Sequence, residues 1–140
     1  MEGRCTQKKI TLEYPKHYLT PEDLLVFIES HEFTASWSDM GMDDEDDLES
    51  LQLCIMANPL GDGEIDGAGG LRTHSHSFDW DSSKPTITAY YGYFADFGIV
   101  YFTCVEEAGA PVEFSMTEKV AIRESLIKVK RELDRKQTIR

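Results

Sequence analysis

A chain of 140 residues with 41% hydrophobic and 11% aromatic content is long enough to bury a core of its own and too apolar to stay disordered. Its formal net charge of −12 repels nucleic-acid phosphates and anionic membranes and draws basic partners in. No run reaches the length of a membrane span, and "MEGRCTQKKITLEYP" lacks the apolar centre of a signal peptide, so the cytoplasm is the expected compartment.

In chain order, "KKITLEYP" alternates Ile10, Leu12 and Tyr14 against polar residues and predicts a strand. "LTPEDLLVFIES" predicts a helix capped by Thr20, with Pro21 in its first turn, Glu22 and Asp23 at the positive dipole end, and Leu19 and Leu24 as a staple. His31 then falls near that helix's C-terminus. "EFTASWS" reads as a short strand with Phe33, Ala35 and Trp37 on one face. "LESLQLCIMANP" alternates Leu51, Leu53, Ile55 and Ala57 and predicts another strand, ended by Asn58-Pro59.

"LRTHSHSFDW", if extended, puts His74, His76, Phe78 and Trp80 on one face. "KPTITAYYGYFADFGIVYFTCVEE" predicts an aromatic-rich hairpin turning at "ADFG". The last helix opens on a capping box, Ser115 with Glu118, and carries the stripe Ile122, Leu126, Val129 and Leu133, with Met116, Val120 and Ile127 on a second side. The expectation is a single α+β domain over residues 1–140. Its sheet is mostly antiparallel, with an N-terminal and a C-terminal helix packed against it and helices covering one sheet face.

The charge is unevenly placed. No Lys or Arg stands between Lys16 and Arg72, and residues 1–114 carry 22 acids against 6 bases, whereas residues 115–140 carry 4 acids against 8 bases. The five acids Asp43, Asp44, Glu45, Asp46 and Asp47 belong to an exposed loop or a helix N-terminus, because each would need pairing in a core. "GDGEIDGAGG" resembles half of a calcium loop, with Asp62, Glu64, Asp66 and Gly67 at positions 1, 3, 5 and 6. Position 12 is Thr73 rather than the bidentate Glu such a loop requires. A solvated acidic, Gly-rich connection is the expected state.

His74 and His76, with Asp79 and Asp81 nearby, have strand spacing for one metal but supply too few ligands alone. The odd set Cys5, Cys54 and Cys104 reads as free thiols. No motif for nucleophilic, phosphate-loop or zinc-protease chemistry occurs, so no enzyme and no cofactor are expected. Tyr90, Tyr91, Tyr93 and Tyr101 crowd the hairpin. Either both its faces are covered, or some tyrosines stay exposed as anchors beside the acids.

The layout of "ITLEYP", "TPEDLLVFIES", "TITAYYGYFADFGIVYF" and "VEFSMTEKVAIRESLIKVKREL" resembles the small acidic immunity proteins of bacterial polymorphic toxin systems. The resemblance implies a cytoplasmic inhibitor that binds and neutralises a basic toxin domain, often a nuclease. The partner surface is expected at Asp43, Asp44, Glu45, Asp46, Asp47, Asp62, Glu64, Asp66, Tyr90, Tyr93 and Tyr101, with no nucleic acid or membrane as partner. Two alternatives stand beside it: a small metal-dependent enzyme or ion-binding domain using His74, His76 and nearby carboxylates, and an acidic phage-type inhibitor or DNA mimic.

Overall fold

In the computed structural model, residues 24–78, 83–109 and 114–139 are described. The strand over "KKITLEYP", the Thr20 cap, Trp80, Asp79 and Asp81 lie outside them.

The elements are β1 (Val26–Glu29), α1 (His31–Asp39), α2 (Asp46–Ala57), β2 (Gly63–Glu64), β3 (Arg72–His76), β4 (Ile87–Phe94), β5 (Ile99–Glu107) and α3 (Met116–Ile139). They form the expected α+β arrangement around one five-stranded sheet, ordered β1-β5-β4-β3-β2. β1 runs parallel to β5, and every other pairing is antiparallel.

Two early elements differ in type from the sequence expectation. Val26, Phe27 and Ile28 form a strand where a helix was expected. Phe27 packs on the core, while Val26 and Ile28 face away and stay exposed. A β-branched and aromatic run fits this pleated, half-buried setting better than a helix.

The "EFTASWS" segment is helical. Ser30 caps α1 by accepting from the Phe33 N–H at 3.0 Å, and its own hydroxyl donates to the Thr103 carbonyl at 2.7 Å. Phe33 and Trp37, four apart, are both buried and stack at 5.6 Å, with Phe33 also stacked on Phe102 at 4.4 Å. Ala35, placed with them by the alternating pattern, is exposed. His31 opens α1 rather than closing a helix.

α2 likewise replaces an expected strand. Its buried residues are Asp47, Leu48, Ser50, Leu51, Cys54 and Ile55, spaced three and four apart as one helix side requires. Leu53 is half-buried and Ala57 exposed. A segment so rich in apolar residues satisfies both periods, and its acidic first turn, Asp46, Asp47 and Glu49, is the signal for a helix.

The hairpin is as expected. β4 and β5 pair along their length through a turn at Ala95–Gly98, where Gly98 takes φ +65°. A register shift between Tyr90 and Tyr91 is the mark of a bulge. There the Thr103 hydroxyl donates to the Tyr90 carbonyl at 3.0 Å.

Helices cover both sheet faces, not one. α1 and α2 bury Ile87, Ala89, Tyr91, Val100, Phe102 and Val105. α3 lies on the opposite face over Tyr90 and Leu71, with Ile122 and Leu126 as its contacts. Its capping box forms as expected, Ser115 N–H to Glu118 and Glu118 N–H to Ser115 Oγ. Gly92 admits α3 closely, since a Cβ there would meet Leu126 Cδ2 at 2.7 Å. Met116 and Ile127, on the helix's second side, are exposed.

Candidate functional site

The acidic run has two jobs. Asp43 Oδ1 accepts from the Glu45 N–H at 3.0 Å and the Asp47 N–H at 3.1 Å, which satisfies donors at the start of α2. The Asp43 carbonyl also accepts from Trp37 Nε1 at 3.1 Å. Asp47 turns inward, with 1% of its surface exposed. Its Oδ2 accepts from the Asp43 N–H at 2.9 Å and pairs with Lys84 Nζ at 2.5 Å.

The expectation that all five acids face water therefore fails at Asp47, which meets the condition for burying a carboxylate by having a cation beside it. Asp44, Glu45 and Asp46 are exposed, and their side chains hold no hydrogen bond among the described residues. They form the free acidic ridge.

At the other end of α2 the "GDGEIDGAGG" segment is a built turn rather than a loose connection. Asp62 accepts from the Ser75 N–H at 2.7 Å, and Glu64 pairs with Arg72 at 3.0 Å. The Ile65 N–H reaches the Leu71 carbonyl at 2.8 Å, and Ala68 is fully buried. Arg123 of α3 donates to the Gly67 carbonyl at 3.1 Å. Two of the three acids of the half calcium loop thus already serve protein groups, and Asp66 points to solvent.

The hairpin tyrosines divide between the faces. Tyr90 lies under α3, buried, with its hydroxyl donating to Glu106 at 2.9 Å and its ring edge-on to Phe114. Tyr91 lies under α2 with no exposed surface and donates to the Pro59 carbonyl at 2.8 Å. Burial pushes the Tyr91 phenol up to about 12. Tyr90, expected among the anchors, is therefore a core residue. Tyr93 and Tyr101 are half-buried and keep part of their rings on the surface.

A second constellation lies beneath α2. His74 and His76 share one face of β3, as their spacing predicts, with ring centroids 5.6 Å apart. Their neighbour is Cys54 of α2, and one donor atom from each of the three lies within 4.8 Å of the others. Ser50 and Cys54, one helical turn apart, meet the pair, and Ser50 Oγ bonds His76 Nε2 at 2.9 Å.

Both ring nitrogens of His74 are buried without a hydrogen-bond partner, an arrangement that ordinarily costs about 1–3 kcal/mol per group. Reading α2 as a strand hid this cluster. Helical spacing of Ser50 and Cys54 is the signal that brings them to one side. Cys54 is disulfide-bonded, which corrects the expectation of free thiols. Among the described residues Cys104 is the free cysteine. Burial pushes the Cys104 thiol up to about 11, which disfavours its thiolate.

Burial keeps both imidazoles neutral. His76 is pushed down to about 3 by burial first and by His74 second. His74 is lowered by burial, against the upward pull of Asp62. Unfolding returns each to its ordinary value near 6.5, so below that pH the unfolded chain binds more protons and stability falls. The His76 contribution is complete above pH 6.5 and declines toward pH 3 at up to about 1.4 kcal/mol per pH unit, and His74 adds to it in the same direction. Urea denaturation at pH 7 and pH 5 should show a loss of roughly 2 kcal/mol from His76 alone. His76→Gln should remove most of that slope, and an unchanged slope would place the titration elsewhere.

Among the described residues no helix is long and apolar enough to cross a membrane. No protein-family profile matches this chain, and no curated protein matches it.

Proposed function

We propose that the chain is a non-enzymatic binding protein of the immunity type, which neutralises a basic toxin domain in the cytoplasm through its acidic face. One observation carries this reading: charge is segregated across the sheet. The layer formed by α1, α2 and their connection holds Glu32, Asp39, Asp43, Asp44, Glu45, Asp46, Asp47 and Glu49 and no Lys or Arg. The basic helix α3, with Lys119, Arg123, Lys128, Lys130, Arg131, Arg135 and Lys136, packs on the other face.

Several of these bases are spent locally, as in Arg135 with Glu132, Lys130 with Asp134, and Arg123 with Gly67. Among the described residues the acids of the first layer have no such counterpart apart from Lys84 at Asp47. An uncompensated field of one sign raises association rates with a partner of the opposite sign. The reading places Asp44, Glu45 and Asp46 at the contact, with Asp66 and the exposed parts of Tyr93 and Tyr101 as further candidates. Asp43 and Asp47 hold the ridge in shape.

The test is expression beside the product of the reading frame adjacent to the chain's own gene. The expected result is growth arrest by that product, relief by the wild-type chain, and at least tenfold weaker relief by Asp44→Asn/Glu45→Gln/Asp46→Asn at equal abundance. An adjacent product that is neither toxic nor bound would remove the reading.

A further inference from the structure

We propose that Cys54, His74 and His76 form a zinc site that joins α2 to β3 in the reduced protein, and that disulfide formation at Cys54 shuts it. Three observations on independent elements converge here. The donor atoms of the three side chains lie within 4.8 Å of one another, so a small closure brings them to the spacing of a tetrahedral ion. One thiolate with two imidazoles is a donor set suited to a borderline-soft cation, and three protein ligands leave a fourth position for water.

His74 buries two ring nitrogens with no partner, in a core that satisfies its other histidine through Ser50. A ligand is what such an orphaned imidazole lacks, and one metal would employ His74 and His76 together. Asp62 acts on His74 through its charge, in the direction that raises a ligand's basicity.

Cys54 is disulfide-bonded, and a sulfur in that state has no thiolate to give. The two states exclude each other. A thiol reductant, small or protein-borne, supplies two electrons and two protons. The S–S bond breaks, Cys54 and its former partner become thiols, and the reductant leaves as its own disulfide. Zinc binding then releases the Cys54 S–H proton to solvent as the S–Zn bond forms. Cys104 lies among the residues packed beneath α3, on the opposite sheet face, and takes no part. The site does not depend on the proposed partner.

Cobalt(II) titration of tag-free full-length protein tests this, with zinc as competitor. The reduced protein should take up one ion per chain, with a thiolate-to-cobalt charge-transfer band that zinc abolishes. Oxidised protein should bind at least a hundredfold more weakly and show no band. Cys54→Ala and His74→Gln should each remove the band while circular dichroism stays unchanged. Should either variant fail to fold, mass-mapped thiol labelling of reduced wild type decides instead. Zinc should slow labelling of Cys54 at least tenfold and leave Cys104 unaffected. No cobalt uptake by the reduced protein, a spectrum without the thiolate band, or zinc-independent labelling of Cys54 would overturn the proposal.

Discussion

Replacing Asp47 with alanine is expected to lower stability by about 3 kcal/mol, the largest effect of any single acid in the described chain. The carboxylate is 1% exposed and sits 2.5 Å from Lys84 Nζ, while its other contact satisfies the Asp43 N–H. Alanine takes the carboxylate away from an ammonium with 18% side-chain exposure, and frees a backbone donor at the start of α2. Lys84 retains some access to water and Asp47 Oδ1 has no partner in the native state. Both facts place the loss at the lower end of what broken buried pairs cost.

Two controls define the mechanism in urea denaturation. Asp44→Asn, one turn away and solvated, should stay within about 0.5 kcal/mol of wild type. Asp47→Leu/Lys84→Met should recover more than half of the loss, because an apolar pair carries no desolvation penalty. An Asp47→Ala midpoint equal to wild type would show that the carboxylate is solvated after all.

Gly61→Ala should be comparably damaging, at about 3 kcal/mol, for a different reason. Gly61 takes φ +64°, and a Cβ there would lie 2.3 Å from the Thr73 carbonyl oxygen and 2.5 Å from Tyr91 Oη. The left-handed backbone costs an L-residue about 1–2 kcal/mol, and overlap with backbone and a buried hydroxyl adds about 1–3 kcal/mol. Tyr91 cannot swing aside, since its ring is fully buried and its hydroxyl is bonded to Pro59. Nor can the Thr73 carbonyl, which accepts from the Asp62 N–H at 2.7 Å.

Gly41 is the matched comparison, with φ +77° and nothing within 4 Å of a built Cβ. Gly41→Ala should cost only about 1 kcal/mol. Thermal or urea unfolding of the two variants separates backbone strain from overlap. Equal losses would contradict the packing described around β3.

What the sequence revealed follows from how strongly each segment commits to one period. The β4–β5 hairpin and α3 were legible because their patterns have a single reading: alternating aromatics with a turn at "ADFG", and a capping box followed by Ile122, Leu126, Val129 and Leu133. α1 and α2 were not. Phe33 and Trp37 sit four apart, a spacing that strand and helix both satisfy, and Leu51, Leu53 and Ile55 alternate within a helix that buries Leu48, Leu51 and Ile55.

The parallel pairing of β1 with β5 joins segments about seventy residues apart in the chain, which no local pattern can specify. The candidate sites were legible in proportion. His74 and His76 fell on one face as their spacing required. Cys54 and Ser50 came to them only through the helical form of α2. Asp47 differs from Asp44 and Asp46 solely in which side of the first turn it occupies, a distinction that composition does not carry.

The same geometry sharpens the functional proposal. The charge asymmetry of the sequence becomes a two-sided molecule, acidic over α1 and α2 and basic along α3, with the sheet between. Of the five consecutive acids, two build the ridge, and the three exposed ones are those proposed to meet a partner. Neutralising those three should alter recognition while leaving the fold nearly intact, which separates the two roles.

The measurement that bears most directly on the proposed function is the salt dependence of the association rate with the proposed basic partner. It is followed by stopped-flow fluorescence for wild type and for Asp44→Asn/Glu45→Gln/Asp46→Asn. Wild type should associate at least tenfold faster than the variant at low salt, the two should converge as ionic strength rises, and dissociation should change less than association. Parallel curves, with the same slope and the same rates, would show that the acidic face over α2 does not meet the partner and would contradict the account.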